Sequence, residues 1–155
     1  RIDSYLESRF KDSTIVRNCG SSKVIMQRDS VIRDSLGREI LLPKLEYGDT
    51  LSLYYAGYVF TSSPSTLFAT NVKEVAEKAG LDLVNPDYNP LKICFDRGVL
   101  IPGLENGLIG SYKMEHSIIL FSAEYGFGNK QQYSIPKLSA LSYEVWIDDV
   151  IKKVQ

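Results

Sequence analysis

The stretch "VLIPGLENGLIG", Val99 to Gly110, places an Ile-Pro-Gly step directly before one short helical turn. Eleven residues later, "FSAEYGFG", Phe121 to Gly128, ends an apolar strand in alternating aromatics and glycines. Pro102 suits the first position of a helix, where its missing N–H leaves no hydrogen bond unmade. One interpretation is that the two segments are turns between the strands of a small β-rich domain. The other is that they form the walls of an apolar pocket.

Length and composition predict one globular domain. The chain has 155 residues, of which 44% are hydrophobic and 24% charged, enough for a substantial core. Its 18 basic and 19 acidic residues create no field that would attract nucleic acid or an anionic membrane surface. No run approaches the roughly 18 apolar residues that a membrane-spanning helix needs. We therefore expect no nucleic-acid partner and no transmembrane segment, and a monomer is the expected oligomeric state.

The cysteine and histidine content argues against several kinds of site. Cys19 and Cys94 lie 75 residues apart and form no CxxC motif, so metal and thioredoxin-like sites have no support. A disulfide between them and two buried or half-buried free thiols are both compatible with the sequence. His116, the single histidine, lies in "KMEHSIIL", which predicts a strand residue without a chemical role. We expect no metal and no cofactor.

Hydrophobic periodicity predicts three helices. Residues 1–10 place apolar side chains at helical spacing, which indicates a short N-terminal helix that packs on the core. The segment "VKEVAEKAG" predicts a helix ending at Gly80, and "PGLENGL" predicts the short helix after Ile101. We interpret residues 61–90, which contain the second helix, as an excursion from a sheet and not as a separate domain.

The strongest predicted strand is "TLSLYYAGYVF", Thr50 to Phe60, in which Gly57 indicates a bulge or a close approach by another backbone. Two polar stretches, "DSLGREILLPKLEYGDT" and "TSSPSTLFATN", are predicted as loops, as is the long segment after the strand ending at Phe121. The predicted fold is α+β, with five or six antiparallel strands and one short helix between the last of them. The other predicted strands are "STIVRN", "SKVIMQRD", "LKICFD", "EHSIILFS" and "LSYEVWIDDVIKKV".

From about Gly48 to Lys152 the order of these segments resembles the FKBP-type peptidyl-prolyl isomerases. The resemblance implies an FKBP-like α+β fold, in which a curved antiparallel sheet of five to six strands wraps around one short helix. An FKBP-like domain would span 48–155 with an insertion at about 61–90, and 1–47 would add an N-terminal helix and leading strands packed on the same domain. Four segments match family motifs in the family's order. The segment "LYYAGYVF" matches the strand with a Tyr-Thr-Gly core, and "VLIPGLENGL" matches the Val-Ile-x-Gly-Trp sequence that begins the helix. The segment "FSAEYGFG" matches Ser-Pro-x-x-Ala-Tyr-Gly, and "SIPKLSALSYEVWI" matches the final Ile-Pro-x-x-Ala-x-Leu-x-Phe-x-Val.

The resemblance also implies a prolyl pocket between sheet and helix. Its catalytic positions correspond here to Tyr55, beside the strand glycine, and to Ile101, whose backbone N–H would bind a ligand carbonyl. Phe127 stands at the loop tyrosine and Tyr143 at the last aromatic wall. The corresponding substrate-binding positions are Phe68, Leu91, Leu100, Leu104 and Tyr125.

Several positions depart from the family pattern. The buried aspartate becomes Ala69, the tryptophan floor becomes Leu104, and the hydrogen-bonding tyrosine becomes Phe127. The second proline of the Ile-Pro-Pro loop becomes Lys137. These replacements open the pocket and remove polar groups from it. We therefore expect weak isomerase activity and poor binding of the family's macrolide inhibitors.

The function implied by the resemblance is a peptidyl-prolyl cis–trans isomerase or folding helper. It would act on proline-containing polypeptides by non-covalent stabilisation of the twisted amide. The alternative is a non-catalytic binding module or chaperone that uses the 61–90 insertion as its contact surface. A hydrolase is disfavoured, because no nucleophile and base are arranged together.

The expected location is a bacterial envelope or periplasm. The chain does not begin with Met and contains few cysteines, features that resemble those of secreted or lipid-anchored envelope proteins. A cytoplasmic location would contradict no residue.

Overall fold

The computed structural model describes residues 1–28, 31–81, 86–131 and 135–154. Its main body is an antiparallel sheet of the strands β1 (Ile15–Asn18), β2 (Ser21–Gln27), β5 (Thr50–Phe60), β6 (Pro64–Thr70), β7 (Leu91–Cys94), β8 (His116–Phe121) and β9 (Ala140–Ile151), and a separate hairpin joins β3 (Val31–Arg33) to β4 (Glu39–Leu41). The order in the sheet is β1-β2-β8-β9-β5-β6, with β7 pairing a second part of β5. The helices are α1 (Ile2–Arg9), α2 (Lys73–Ala79), α3 (Pro102–Leu108) and a single 3-10 turn, Ala123–Tyr125.

Strand β5 organises the sheet because both of its edges are paired. The twelve-residue strand β9 pairs with β5 along one edge from Thr50 to Phe60. The other edge is divided: β6 pairs with residues 56–60 and β7 with residues 50–53. Tyr54 and Tyr55 therefore lie in the gap between two different strands.

Helix α3 packs on the inner face of the sheet, where the main core lies. Pro102 occupies the first turn, as the sequence predicted. Side chains added at Gly103 and Gly107 would collide with Phe121 and Ile119, so the two glycines let the helix lie directly on β8. The core contains mainly residues of the sheet and α3: Leu45, Leu51, Leu53, Phe95, Leu108, Ile119, Phe121, Leu141, Val145, Ile147 and Val150.

Helix α1 covers part of the opposite, outer face. Its Leu6 is 1% exposed and belongs to a second cluster with Val24, Phe60 and Leu120. The ring of Tyr5 meets that of Phe60 edge to face, with centroids 5.3 Å apart. The N-terminal helix is thus packed on the sheet, as its apolar spacing predicted.

The end of β9 is held to the turn before β5 by Asp49, which is fully buried. Its carboxylate accepts hydrogen bonds from the backbone N–H groups of Glu46 and Lys153, at 2.8 and 3.0 Å. The Lys152 ammonium lies 2.6 Å from the same carboxylate. Burial alone would raise the pKa of Asp49, but these donors outweigh it and hold the pKa below its ordinary value.

The predicted α+β architecture, with an antiparallel sheet and one short helix on its inner face, and all three predicted helices are confirmed. Helix α2 ends at Gly80, whose φ of 68° is the left-handed conformation that glycine adopts without strain. Gly57 does mark a bulge in the β5–β6 pairing. The close approach there is by two side chains, described below, and not by another backbone.

Three details of the predicted fold were wrong. The stretch "TSSPSTLFATN" forms β6, because Leu67 is buried and pairing with β5 satisfies its backbone. Proline is tolerated at the first position of that edge strand. The stretch predicted as a loop after Asp34 contains one strand of the β3–β4 hairpin, whose two halves satisfy each other's hydrogen bonds. Among the described residues the sheet accordingly has seven strands and not five or six.

The two cysteines are also placed differently from expectation. Cys19 and Cys94 are both free and both exposed, so neither the disulfide nor the buried-thiol interpretation holds. Cys19 precedes the tight turn into β2, and Cys94 is the last residue of β7, at the sheet surface.

Candidate functional site

An apolar cavity of about 450 Å³ opens on the inner face of the sheet, beside α3. Strands β5, β6, β7 and β9 supply one side of the cavity. The other side is supplied by Leu100 and Leu104, which flank Ile101, and by Phe127 and Ile135, which flank Gly128. The lining residues are Leu53, Tyr55, Phe68, Ala69, Leu91, Leu100, Leu104, Phe127, Ile135 and Tyr143.

Gly57 makes room for two aromatic walls of this cavity. A Cβ at this position would lie 2.8 Å from Cζ of Phe68 and 2.9 Å from Cε1 of Tyr143. The two rings meet edge to face, with centroids 5.7 Å apart. Tyr143 also stacks on Phe121 at 6.0 Å with an interplanar angle of 11°. Because Gly57 has no side chain, the rings of Phe68 and Tyr143 can both occupy the space above it.

Tyr55 is held through its backbone by residues at the end of β6. Its N–H donates to Oδ1 of Asn71 at 2.8 Å, and its carbonyl accepts from Oγ1 of Thr70 at 2.6 Å. Asn71 is 5% exposed, and its Nδ2 donates to the carbonyls of Leu53 and Asn89, each at 3.1 Å. The two side chains thus replace strand pairing in the gap between β6 and β7.

Both tyrosine hydroxyls of the cavity have raised pKa values. Burial is the main cause at Tyr143, with the neighbouring Tyr55 adding to it. Burial also raises the pKa of Tyr55, and the negative charge of Asp87 adds to that rise. Both groups are therefore neutral, and available as hydrogen-bond donors, throughout the physiological range.

The loop before α3 presents a free backbone donor beside the cavity. The Ile101 carbonyl accepts from the N–H groups of Leu104 and Glu105, at 3.1 and 3.0 Å, which starts the helix. Within the described ranges the Ile101 N–H donates no hydrogen bond. The Glu105 carboxylate fixes the loop by accepting from the Gly98 N–H at 2.9 Å and from the Tyr47 hydroxyl at 3.1 Å.

Seven of the nine predicted site residues line the cavity: Tyr55, Phe68, Leu91, Leu100, Leu104, Phe127 and Tyr143. Ile101 does not line it. Its side chain packs against the core, and its N–H donates to no atom of the described residues. Tyr125 does not line it either. Its ring covers Gly20 instead, where an added Cβ would collide with it.

Three lining residues were not predicted as site residues. Leu53 lies two positions before Tyr55 on the same face of β5, so strand alternation could have identified it. Ile135 lies in the "SIPK" segment that the family motif already included. Ala69 was noted only for the carboxylate it lacks. Asn71 was missed altogether, since its partners lie 16 to 18 residues away in sequence.

A second, open groove of about 550 Å³ lies where α2 meets the sheet. Tyr54 and Trp146 pair across β5 and β9 on the outer face. The Trp146 ring stacks on His116 at 4.9 Å, and Nε2 of His116 lies 2.6 Å from the Glu144 carboxylate. The groove is lined by Tyr54, Asn71, Val72, Lys73, Glu74, Tyr88 and Trp146.

Other kinds of site have no counterpart in the part of the chain that the structure describes. No group of three His, Cys, Asp or Glu side chains is placed to hold a metal ion there. Among the described helices, none is long and apolar enough to cross a membrane.

Comparisons with known proteins agree with this geometry. No protein-family model matches the chain. The chain is 26% identical over 103 residues to FK506-binding protein 1 of Aspergillus oryzae (strain ATCC 42149 / RIB 40), covering 66% of this chain and 84% of that protein.

Two solved structures have a similar fold. The structure of the three FKBP domains of wheat FKBP73 matches 91% of this chain with a TM-score of 0.64 and 16% identity, and this chain spans half of that one. The N-terminal domain of FKBP42 from Arabidopsis thaliana matches 91% of this chain and 94% of its own, with a TM-score of 0.59 and 16% identity. These two likenesses concern the fold alone. The sequence relative supports a relationship to the FKBP-type proteins, and the two solved structures show that the fold is FKBP-like.

Proposed function

We propose that this protein is a peptidyl-prolyl cis–trans isomerase that binds X–Pro segments of polypeptides in the inner-face cavity. Isomerisation is the typical activity of the FKBP-type family. The observation that carries the proposal is the apolar cavity of about 450 Å³, bordered by aromatic walls at Tyr55, Phe68 and Tyr143. The Ile101 N–H, which has no acceptor among the described residues, directly follows the lining residue Leu100.

The reaction needs no nucleophile and no metal. Rotation about a peptide bond faces a barrier of roughly 18–20 kcal/mol because resonance holds the amide planar. In the twisted form resonance is broken and the carbonyl is less polar. A dry, apolar cavity therefore favours the twisted form over the planar one, and differential binding of this kind lowers the barrier. Each 1.4 kcal/mol of preference changes the rate about tenfold.

Different residues of the cavity bind different parts of the X–Pro segment. The prolyl ring fills the space between Tyr55, Phe68 and Leu104. The Ile101 N–H donates to the carbonyl of the residue after proline, which holds the chain while the X–Pro bond turns. Phe127 covers the ring from the loop side.

We expect this activity to be weak. Leu104 gives a smaller floor than a tryptophan, and Ala69 supplies no carboxylate. Phe127 keeps the wall but lacks a hydroxyl, whose hydrogen bond would contribute about 0.5–1.5 kcal/mol. The same three replacements are the reason to expect poor binding of macrolide inhibitors.

The test compares two adjacent tyrosines on opposite faces of β5. Two-dimensional NMR exchange would measure cis–trans interconversion of an Ala-Leu-Pro-Phe peptide with the wild type, Tyr55→Ala and Tyr54→Ala. We expect acceleration by the wild type and by Tyr54→Ala, and at least a tenfold loss with Tyr55→Ala. Unaccelerated exchange at high protein concentration, or equal loss in both variants, would refute the proposal.

A second candidate function is supported by the outer groove. Tyr54, Tyr88 and Trp146 form an aromatic surface next to α2, in the 61–90 segment. On this alternative the protein binds unfolded polypeptide there as a chaperone, without catalysis.

Trp146→Ala and Tyr55→Ala separate the two candidates. The readout is binding to a permanently unfolded protein, reduced and carboxymethylated. Loss with Trp146→Ala but not with Tyr55→Ala would favour the outer groove. The reverse pattern would favour the inner cavity.

A further inference from the structure

The cavity is almost free of polar groups. Among its described lining residues, the polar side-chain atoms are the hydroxyls of Tyr55 and Tyr143, and every other lining side chain is a hydrocarbon. In pockets of this kind, the few polar groups fix the orientation of the ligand. The two hydroxyls are therefore the features most able to recognise a polar atom of what enters.

The position of the Tyr143 hydroxyl is set by its surroundings. The residue is only 7% exposed. Its ring is stacked on Phe121 and meets the edge of Phe68, and it lies against Gly57. A ring held on three sides cannot swing its hydroxyl toward another partner without repacking the core.

This hydroxyl has no hydrogen-bond partner in the described ranges. The buried side-chain polar atoms that lack a partner there are Oε2 of Glu115 and Oγ of Ser117, so the Tyr143 oxygen is not sealed in the core. The open space that the residue borders is the cavity. Buried tyrosine hydroxyls normally find a partner. A ligand in the cavity would supply one.

We propose that the Tyr143 hydroxyl donates a hydrogen bond to the carbonyl oxygen of the residue before proline, with the Tyr55 hydroxyl beside it. This inference rests on the proposed binding of X–Pro segments in the cavity. The carbonyl is bonded directly to the prolyl nitrogen, so the ring carries it into the apolar site. Buried without a partner, it would weaken binding. The family motif has phenylalanine at this position, and a phenylalanine ring carries no hydroxyl donor.

The donor should act on binding more than on rotation. A carbonyl oxygen carries more negative charge in the planar amide than in the twisted one. A hydrogen bond to it therefore stabilises the bound ground state at least as well as the transition state. Removing it should raise KM and leave kcat unchanged or slightly higher. A purely structural role of Tyr143 would not give this division.

Tyr143→Phe removes one oxygen and keeps the ring. NMR titration would measure two ligands: an Ala-Leu-Pro-Phe peptide and its alkene isostere, in which a carbon–carbon double bond replaces the X–Pro amide bond, so that the carbonyl oxygen is absent. We expect the variant to bind the peptide about 3- to 10-fold more weakly, as loss of one hydrogen bond implies. The affinity of the variant for the isostere should lie within twofold of the affinity of the wild type for it. Tyr58→Phe, on the same strand but lining neither the cavity nor the outer groove, is the matched control and should change neither.

The outcomes are distinguishable. Unchanged peptide affinity in Tyr143→Phe, or an equal loss for both ligands, would overturn the hydrogen bond while leaving the proposed function standing. Failure of the wild type to bind either ligand would overturn both. A carbonyl-dependent loss of affinity without accelerated exchange would support the hydrogen bond and remove only the catalytic part of the proposed function.

Discussion

At the scale of single residues, the cavity depends on an absence of atoms as much as on the side chains that line it. Gly57 lies where Phe68 and Tyr143 come closest to β5. Nothing in its backbone conformation requires glycine, since its φ is not in the left-handed region. Its role is to leave space for two rings.

Gly57→Ala should therefore damage stability and binding together. The new methyl group would lie within 3 Å of both rings and push them into the cavity. Overpacking of this kind costs about 1–3 kcal/mol of unfolding free energy. Urea denaturation and peptide titration would measure the two effects. A variant with wild-type stability and wild-type peptide affinity would contradict the assignment.

The residue scale is also where sequence reasoning was least complete. Phe127 and Tyr125 both stand in an alternating aromatic–glycine segment, and the pattern alone could not say which ring enters the cavity. Tertiary packing decides it: the Tyr125 ring covers Gly20, and Phe127 lines the cavity. Tyr55, Leu104 and Tyr143 could be placed, because strand and helix periodicity fixes which way they face.

At the scale of elements, the important feature is that β6 and β7 share one edge of β5. Asn71 and Thr70 satisfy the backbone of β5 between them. Sequence patterns predicted β5, β7 and α3, whose apolar residues are regularly spaced. They did not predict β6, whose serine and threonine content resembles that of a loop, or the contacts of Asn71.

Asn71→Ala should loosen this junction. It leaves the Tyr55 N–H and the Leu53 carbonyl without their side-chain partner in a buried position, at a cost of about 2 kcal/mol. Because Tyr55 lines the cavity, peptide affinity should fall as well.

Asn129→Ala, at an exposed position, is the control and should change stability by less than about 0.5 kcal/mol. Asn71→Asp is informative too, because aspartate keeps the acceptor for Tyr55 but cannot donate to Leu53 and Asn89. Equal stability of Asn71→Asp and the wild type would mean that those two donated bonds contribute nothing.

The turn before β5 predicts a pH dependence. The pKa of Asp49 is held below its ordinary value in the folded state, so folding favours the charged form. The resulting stabilisation is complete above the unfolded-state pKa of about 3.9 and is lost as the pH falls through the lower, folded-state value.

Asp49→Asn should lose about 2 kcal/mol at pH 7, since it gives up the charged partner of Lys152. The difference between variant and wild type should shrink in urea titrations as the pH drops below 4. A difference that stays constant from pH 7 to pH 2 would show that the charge of Asp49 does not stabilise the fold.

At the scale of the whole molecule, the sheet separates two surfaces. The cavity and main core lie on the inner face, and the outer face carries the α1 cluster and the aromatic groove. The overall FKBP-like architecture could be predicted from four motifs in order. The outer groove could not, because Tyr54, Tyr88 and Trp146 come from separate parts of the chain.

This separation predicts that damage to one face spares the other. Leu6→Ala removes a buried side chain from the outer cluster and should cost about 2–4 kcal/mol of unfolding free energy. Peptide affinity of the inner cavity, measured where the variant is still folded, should stay within twofold of the wild type. A parallel loss of affinity would mean that α1 and the cavity are coupled through the sheet.

The shared edge of β5 has a further consequence, for protein engineering. The chain leaves the sheet at Thr70 and returns at Leu91, and both points lie on the same edge of one strand. The entropy of closing a loop grows only slowly with its length. Foreign sequences of quite different sizes could therefore be grafted between these points, provided that Asn71 and Asn89 are kept. The segment beside the cavity is thus a natural place to install new recognition modules without redesigning the prolyl-binding walls.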